Sequence, residues 1–144
     1  MLGIVQAGEL SQRINEIVEA LQHQMFSLGS ELASPNPEAQ GMVLLGDDVV
    51  KGIERWIDEL EEKLPPLKSF ILPGGSAESA RLHLARCVCR RAEREIAKLA
   101  FSVEIRPTVL KYVNRVSDLL FVLARAVNHE AGVTDIVWEK PNHD

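Results

Sequence analysis

At 144 residues and 16.0 kDa, with 46% hydrophobic and 26% charged residues, the chain suits one globular domain and is neither disordered nor long enough for two. A net charge of −5 argues against general nucleic-acid binding. No apolar run approaches the roughly 20 residues that span a bilayer, and Met1-Leu2-Gly3-Ile4-Val5-Gln6 shows no secretory signal, so the expected compartment is the cytoplasm, with no membrane partner.

The first apolar pattern, Ile14, Ile17, Val18, Leu21, Phe26 with Met25, Leu28 and Leu32, predicts one helix from about Leu2 to Ala33. Ser34-Pro35-Asn36-Pro37 ends it, because two prolines cannot continue the hydrogen-bond ladder, and residues 34–46 read as a loop. Asp47 or Asp48 is the expected cap of a second helix with the stripe Val49, Ile53, Trp56, Ile57 and Leu60. Its acidic run at 58–62 reads as a solvated face, and Pro65-Pro66 stops it. The connection from Leu67 to Gly75 is unusually apolar for a loop and is expected to cover a core or line a pocket.

Ser76 is the expected cap of a third helix through Leu99, with Ala80, Leu84, Val88 (with Cys87), Ala92, Ile96 and Leu99 turned inward. Pro107 fits the first turn of a fourth helix, where Leu110, Val113, Val116 or Ser117, Leu120, Ala124 and Val127 face the core and Gly132 supplies the stop. Residues 133–139 alternate weakly and read as an extended tail. The expected architecture is all-α, an antiparallel up-down bundle of four to five helices in a single domain over 1–144.

Charge is uneven. Residues 1–68 carry 5 basic and 12 acidic side chains, residues 69–144 carry 11 and 9, and six of those eleven basic residues lie between Arg81 and Lys98. An anionic ligand therefore belongs in the second half. Arg86, Arg90 and Arg94 are spaced four apart, a mutual repulsion of a few tenths of a kcal/mol per pair unless something offsets it. Glu93 after Arg90 and Glu95 after Arg91 make a self-compensated solvated face one reading. An anion site is the other, since guanidinium forks match phosphate oxygens. On the fourth helix Asn114, Asp118, Phe121 and Arg125 form a second line, in which Asp118 either pairs with an arginine of the third helix or serves structurally.

Cys87 and Cys89 would point about 200° apart on a helix and read as reduced, partly buried thiols. His23, His83, His129 and His143 lack ligand spacing, so no protein-held metal is expected. No Ser/His/Asp relay or Walker-type loop is present, and Gly74-Gly75 alone is no phosphate loop.

Three longer words carry more. Phe70-Ile71-Leu72-Pro73-Gly74-Gly75-Ser76, then Arg86-Cys87-Val88-Cys89-Arg90-Arg91-Ala92-Glu93-Arg94, then the stretch from Tyr112 to Phe121 stand in the order and spacing of one family. With Gln24–Ala33 and Trp56–Leu60, the chain resembles PduO-type ATP:cob(I)alamin adenosyltransferases from about Gly3 to Glu139. The resemblance implies a ferritin-like five-helix bundle that forms a homotrimer with sites between subunits. It implies transfer of the 5′-deoxyadenosyl group of ATP, with Mg, onto Co(I) of a reduced corrinoid, releasing triphosphate. Cobalt is then the nucleophile, and no catalytic side chain is expected.

By the same resemblance Arg90, Arg91, Glu93, Arg94 and Asn114 contact ATP, with Arg90 the principal triphosphate contact. Phe70, with Phe121, forms the corrinoid wall that displaces the lower axial ligand. Arg86 pairs with an acidic residue of the neighbouring subunit, and Asp118 braces the site. A corrinoid reductase and an adenosylcobalamin-dependent enzyme are the implied partners. The family's Thr-rich, Gly-rich ATP segment and the acidic word after it have no counterpart at Met1–Gly8. The expectation is an N-terminally truncated member that binds ATP poorly. A corrinoid-binding or scaffold bundle with weak or no activity is the alternative.

Overall fold

The computed structural model describes residues 1–141, so His143 lies outside the described residues. Five helices follow one another: α1 (Leu2–Gln6), α2 (Gln12–Ala33), α3 (Asp47–Glu61), α4 (Ala77–Leu99) and α5 (Pro107–Glu130). The all-helical bundle expected from the pattern is present, with four long helices and one short one.

The single first helix is corrected to two. The chain leaves helical geometry after Gln6, and Ser11 starts α2 afresh with its hydroxyl accepting from the Ile14 N–H. That cap lets α1 fold back, so that Val5 is buried and Gln22 donates to Gln6 at 2.5 Å. Within α2, Phe26 is 81% exposed and its neighbour Met25 packs against the core instead. The cap of α3 is Gly46 rather than an aspartate. Asp47 and Asp48 occupy the first turn, where carboxylates complement the helix dipole.

α5 is the central helix, flanked by α4 and α3 and touched by α2. It is buried on nearly all sides from Val116 to Asn128, which is why its expected stripe proves too narrow. Tyr112, fully buried, donates from its hydroxyl to Gln24, and burial pushes its ionisation well above the ordinary range. α4 runs antiparallel to α5, since Ser76 at the start of α4 meets Asn128 near the end of α5, whereas Glu93, further along α4, meets Asn114 near the start of α5.

The inward face of α4 is also corrected. Of the expected stripe only Ile96 is buried. Ser79, Leu82, His83 and Ala85 are the other buried residues, whereas Leu84 is 53% exposed and Ala80, Ala92 and Leu99 are exposed too. Small and polar residues share the buried face of α4 with Leu82 and Ile96, and Leu84 and Leu99 face outward.

Ser76 caps α4 by accepting from the Ser79 N–H at 3.2 Å, and Pro107 opens α5. Gly132, at φ +67°, ends α5 in the left-handed region where glycine is unstrained. The tail beyond it is extended, as expected, and pairs antiparallel with the apolar loop through Ile71 and Val137. No helix among the described residues is long and apolar enough to cross a membrane.

Candidate functional site

On the outer half of α4, Arg90 pairs with Glu93 one turn later, the self-compensation expected from spacing. Glu93 accepts from Asn114 Nδ2 at 3.0 Å through its other oxygen, so one carboxylate orients a guanidinium on α4 and an amide on α5. Arg115 extends the chain of contacts, donating to Asn114 Oδ1 at 2.9 Å and pairing with Asp118 at 2.8 Å. Asp118 therefore pairs on its own helix rather than with an arginine of α4. Glu95 pairs with Lys98 instead of Arg91, and this holds its carboxyl below the usual range. Arg91 and Arg94 are exposed and carry no ion pair among the described residues. Two uncompensated guanidinium groups thus flank the oriented Arg90, a surface suited to a polyanion.

One turn toward the start of α4, the Arg86 guanidinium lies over the Phe121 ring, 5.1 Å from its centroid. His83 meets the same ring edge-on at 6.0 Å. Arg86 Nε and His83 Nε2 are buried without a hydrogen-bond partner, and burial lowers the His83 pKa, so its imidazole is neutral at pH 7. Arg86 and Phe121 line a groove of about 340 Å³ with Ile57, Glu61, Arg115 and Asp118. This groove includes neither Arg90 nor Phe70.

Phe70 stands at the start of α4, on the apolar loop, with 77% of its surface exposed. From Arg90 back to Ser76 is about 21 Å along the axis at about 1.5 Å per residue. Trp138 meets Phe70 edge-on at 6.3 Å. The loop is fixed from beneath by Asn128. Its Oδ1 accepts from the Ser76 N–H at 2.9 Å and its Nδ2 donates to Gly74 O at 3.0 Å. Gly75, at φ +107°, passes so close to this amide that a Cβ would fall 2.4 Å from it. Asn128 also donates to Asp135, which pairs with buried Arg125 at 3.0 Å.

The sequence residues thus fall into three groups: Arg90, Glu93, Asn114 and Asp118 in one network, Arg86 with Phe121, and Phe70 apart. Cys87 is exposed, contrary to the partly buried state expected for it. Cys89 donates to Val113 O, and burial pushes its thiol up to about 11, too protonated to act as a nucleophile at neutral pH. Among the described residues no three His, Cys, Asp or Glu side chains converge on a metal position.

Residues 1–127 match the family model described as cobalamin adenosyltransferase. The chain belongs to that family. It is 39% identical over 132 residues to a cobalamin adenosyltransferase of Cupriavidus metallidurans, covering 92% of this chain and 69% of the relative. It is 42% identical to a corrinoid adenosyltransferase of Bacillus subtilis, over 83% of this chain and 61% of that one. Against the corrinoid adenosyltransferase PduO of Citrobacter freundii the match covers 37% of the relative, so the chain spans from about a third to two thirds of these proteins' lengths. Among solved structures, a variant PduO-type ATP:corrinoid adenosyltransferase from Lactobacillus reuteri, complexed with cobalamin and ATP, superposes with a TM-score of 0.90 at 30% identity. That match covers 96% of this chain and 78% of the other. Another variant of the enzyme, complexed with ATP, gives 0.88 at 31%.

Arg115, His83, Asn128 and Trp138 escape the sequence reading as site elements. Arg115 lies inside a quoted word, but only coordinates show that it joins Asn114 to Asp118. Asn128 carries no local signal for its hold on the loop, because its loop partners lie 52 and 54 positions away.

Proposed function

We propose that the protein is an ATP:corrinoid adenosyltransferase. Co(I) of a reduced corrinoid attacks C5′ of ATP, the cobalt–carbon bond forms as the C5′–oxygen bond breaks, and triphosphate leaves. The cobalt supplies the electron pair, which accounts for a site built from guanidinium, amide and aromatic groups. The observation that carries this reading is the pairing of an oriented arginine with an exposed aromatic at a matching interval. The phenylalanine and arginine substituted in the Lactobacillus reuteri variants are 20 positions apart, as are Phe70 and Arg90.

Arg90, Arg91, Arg94 and Asn114 form the nucleotide face, and Glu93 sets the geometry of Arg90 and Asn114. Their work is to hold C5′ near the cobalt and to stabilise charge growing on the departing triphosphate. Phe70 and Phe121 are the corrinoid side, where an apolar ring displaces the lower axial ligand and makes cobalt easier to reduce. Arg86, with its unpartnered buried Nε, awaits an acidic group of a neighbouring copy.

A homotrimer fits the exposed apolar side chains of α4, Leu84 and Leu99, which one chain leaves uncovered. It also fits the division of Phe70 and Arg90 between surfaces that a neighbour would join. Co(I) requires a reductase upstream and a reducing compartment, the cytoplasm, and the product serves an enzyme that uses adenosylated corrinoid. The test is an anaerobic assay with cob(I)alamin and MgATP, followed by the spectral change of cobalt–carbon bond formation. Turnover by the full-length protein, lowered roughly 10- to 150-fold in Arg90→Ala, supports the reading. Corrinoid binding without turnover overturns it in favour of a binding scaffold.

A further inference from the structure

The aromatic partner of Phe70 has no part in the reaction as described, yet its position is heavily determined. The Leu72 N–H donates to Ile136 O and the Trp138 N–H to Phe70 O, both at 2.8 Å, so loop and tail form a two-stranded ribbon at the start of α4. The tail is pinned three residues before Trp138, where Asp135 accepts from Arg125 and Asn128, both buried. Asn128 fixes the loop as well, through Gly74 and Ser76. One buried amide therefore sets the distance between the segment bearing Phe70 and the segment bearing Trp138.

A tail tied down only for stability would bury its largest side chain. Trp138 is instead 44% exposed, with one edge against Phe70 and Leu72 and Ile136 exposed beside it. A phenylalanine so open on a loop would otherwise sample several rotamers. An edge-to-face contact favours one of them through the ring quadrupoles.

We propose that Trp138 is a positioning residue that holds the Phe70 ring in the orientation that meets the corrinoid. The inference rests on the proposed function and assigns a role to the tail that the reaction itself does not require.

The test uses the full-length protein with Phe70→Ala, Trp138→Ala, Trp138→Phe and the Phe70→Ala/Trp138→Ala double variant. The readout is the fraction of bound cob(II)alamin that has lost its lower axial ligand, taken from its electron paramagnetic resonance spectrum, with KM for corrinoid and for ATP measured beside it. Trp138→Ala is expected to lower that fraction about three- to ten-fold, the range of an aromatic pair contact, and to leave KM for ATP unchanged. Trp138→Phe keeps an edge contact and restores most of the effect. The double variant is expected to be no worse than Phe70→Ala alone, because the second residue acts through the first. A wild-type spectrum in Trp138→Ala overturns the inference, as does a double variant that loses both factors in full. If the unaltered protein binds no corrinoid, the proposed function falls and this inference with it. If it binds and Trp138→Ala is indistinguishable, only the inference falls.

Discussion

Asn128, buried near the end of α5, accepts the backbone N–H of Ser76, the residue that caps α4. The same side chain donates to Gly74 O and Asp135, so a helix cap, an apolar loop and the tail share one anchor. Asn128→Ala leaves the part-buried Ser76 N–H without a partner, at about 1–3 kcal/mol, while Gly74 O keeps the Ser79 hydroxyl at 3.1 Å. The expected outcome is a Tm lowered by roughly 2–12 °C in thermal denaturation, at about 2–4 °C per kcal/mol for a chain of this size. An unchanged Tm would show that water replaces the amide.

Arg90 and Glu93 give a prediction about rate. If Arg90 contacts the leaving triphosphate as proposed, Arg90→Ala removes a charge-assisted contact, for which about 1.5–3 kcal/mol, or roughly 10- to 150-fold in kcat/KM, is the expected loss. Glu93→Ala leaves Arg90 in place but frees it and Asn114 from their shared carboxylate. A smaller loss, mostly in KM for ATP, is expected, because binding geometry rather than charge is disturbed. Steady-state kinetics at varied ATP check both. Equal losses would mean that Glu93 itself contacts the nucleotide.

The helices were legible because periodicity and stops are local. The Pro35/Pro37 and Pro65-Pro66 breaks, the Ser76 cap and the Gly132 stop each act within a few residues and stand as expected. The direction of an apolar stripe was not legible. Leu84, Ala92 and Leu99 repeat at helical spacing as buried residues do, but periodicity records that a face is apolar and not what covers it. Phe26 misled for the same reason. The arginine words announced a cationic face, yet the bond from Asn114 to Glu93 spans 21 positions and depends on the register of α4 against α5, which no local pattern encodes.

Glu31 and Arg106 close the opposite end of the bundle. Arg106 donates to Glu31 Oε1 at 2.8 Å and to Leu45 O at 2.7 Å, while the other Glu31 oxygen accepts from the N–H groups of Leu44 and Leu45. Glu31 is buried, so Arg106→Ala strands a carboxylate away from water. A loss of about 3 kcal/mol is expected, the usual consequence of removing one partner of a buried pair. Urea denaturation reads it as a lower midpoint at an unchanged slope. Glu31→Gln should lose less, since the amide keeps an acceptor and leaves no bare charge.

His83 predicts how stability depends on pH. In the folded protein its imidazole is buried against Phe121 and Arg86, and both burial and the Arg86 charge lower its pKa, with Asp135 opposing them more weakly. The unfolded chain takes up a proton at His83 below about pH 6.5, while the folded chain still resists it. The unfolded state therefore binds more protons in that window, and stability falls as pH falls. The contribution is complete above about pH 6.5 and is lost as pH drops toward the lowered folded value. Glu59, held low by its hydrogen bond from Arg13, titrates further down and does not interfere near pH 5.5. Unfolding free energies at pH 8 and pH 5.5 should therefore differ more in the wild-type protein than in His83→Gln, which cannot take up the proton. Equal pH dependence in the two proteins would mean that the folded structure accepts a charged imidazole beside Arg86, with Asp135 outweighing burial.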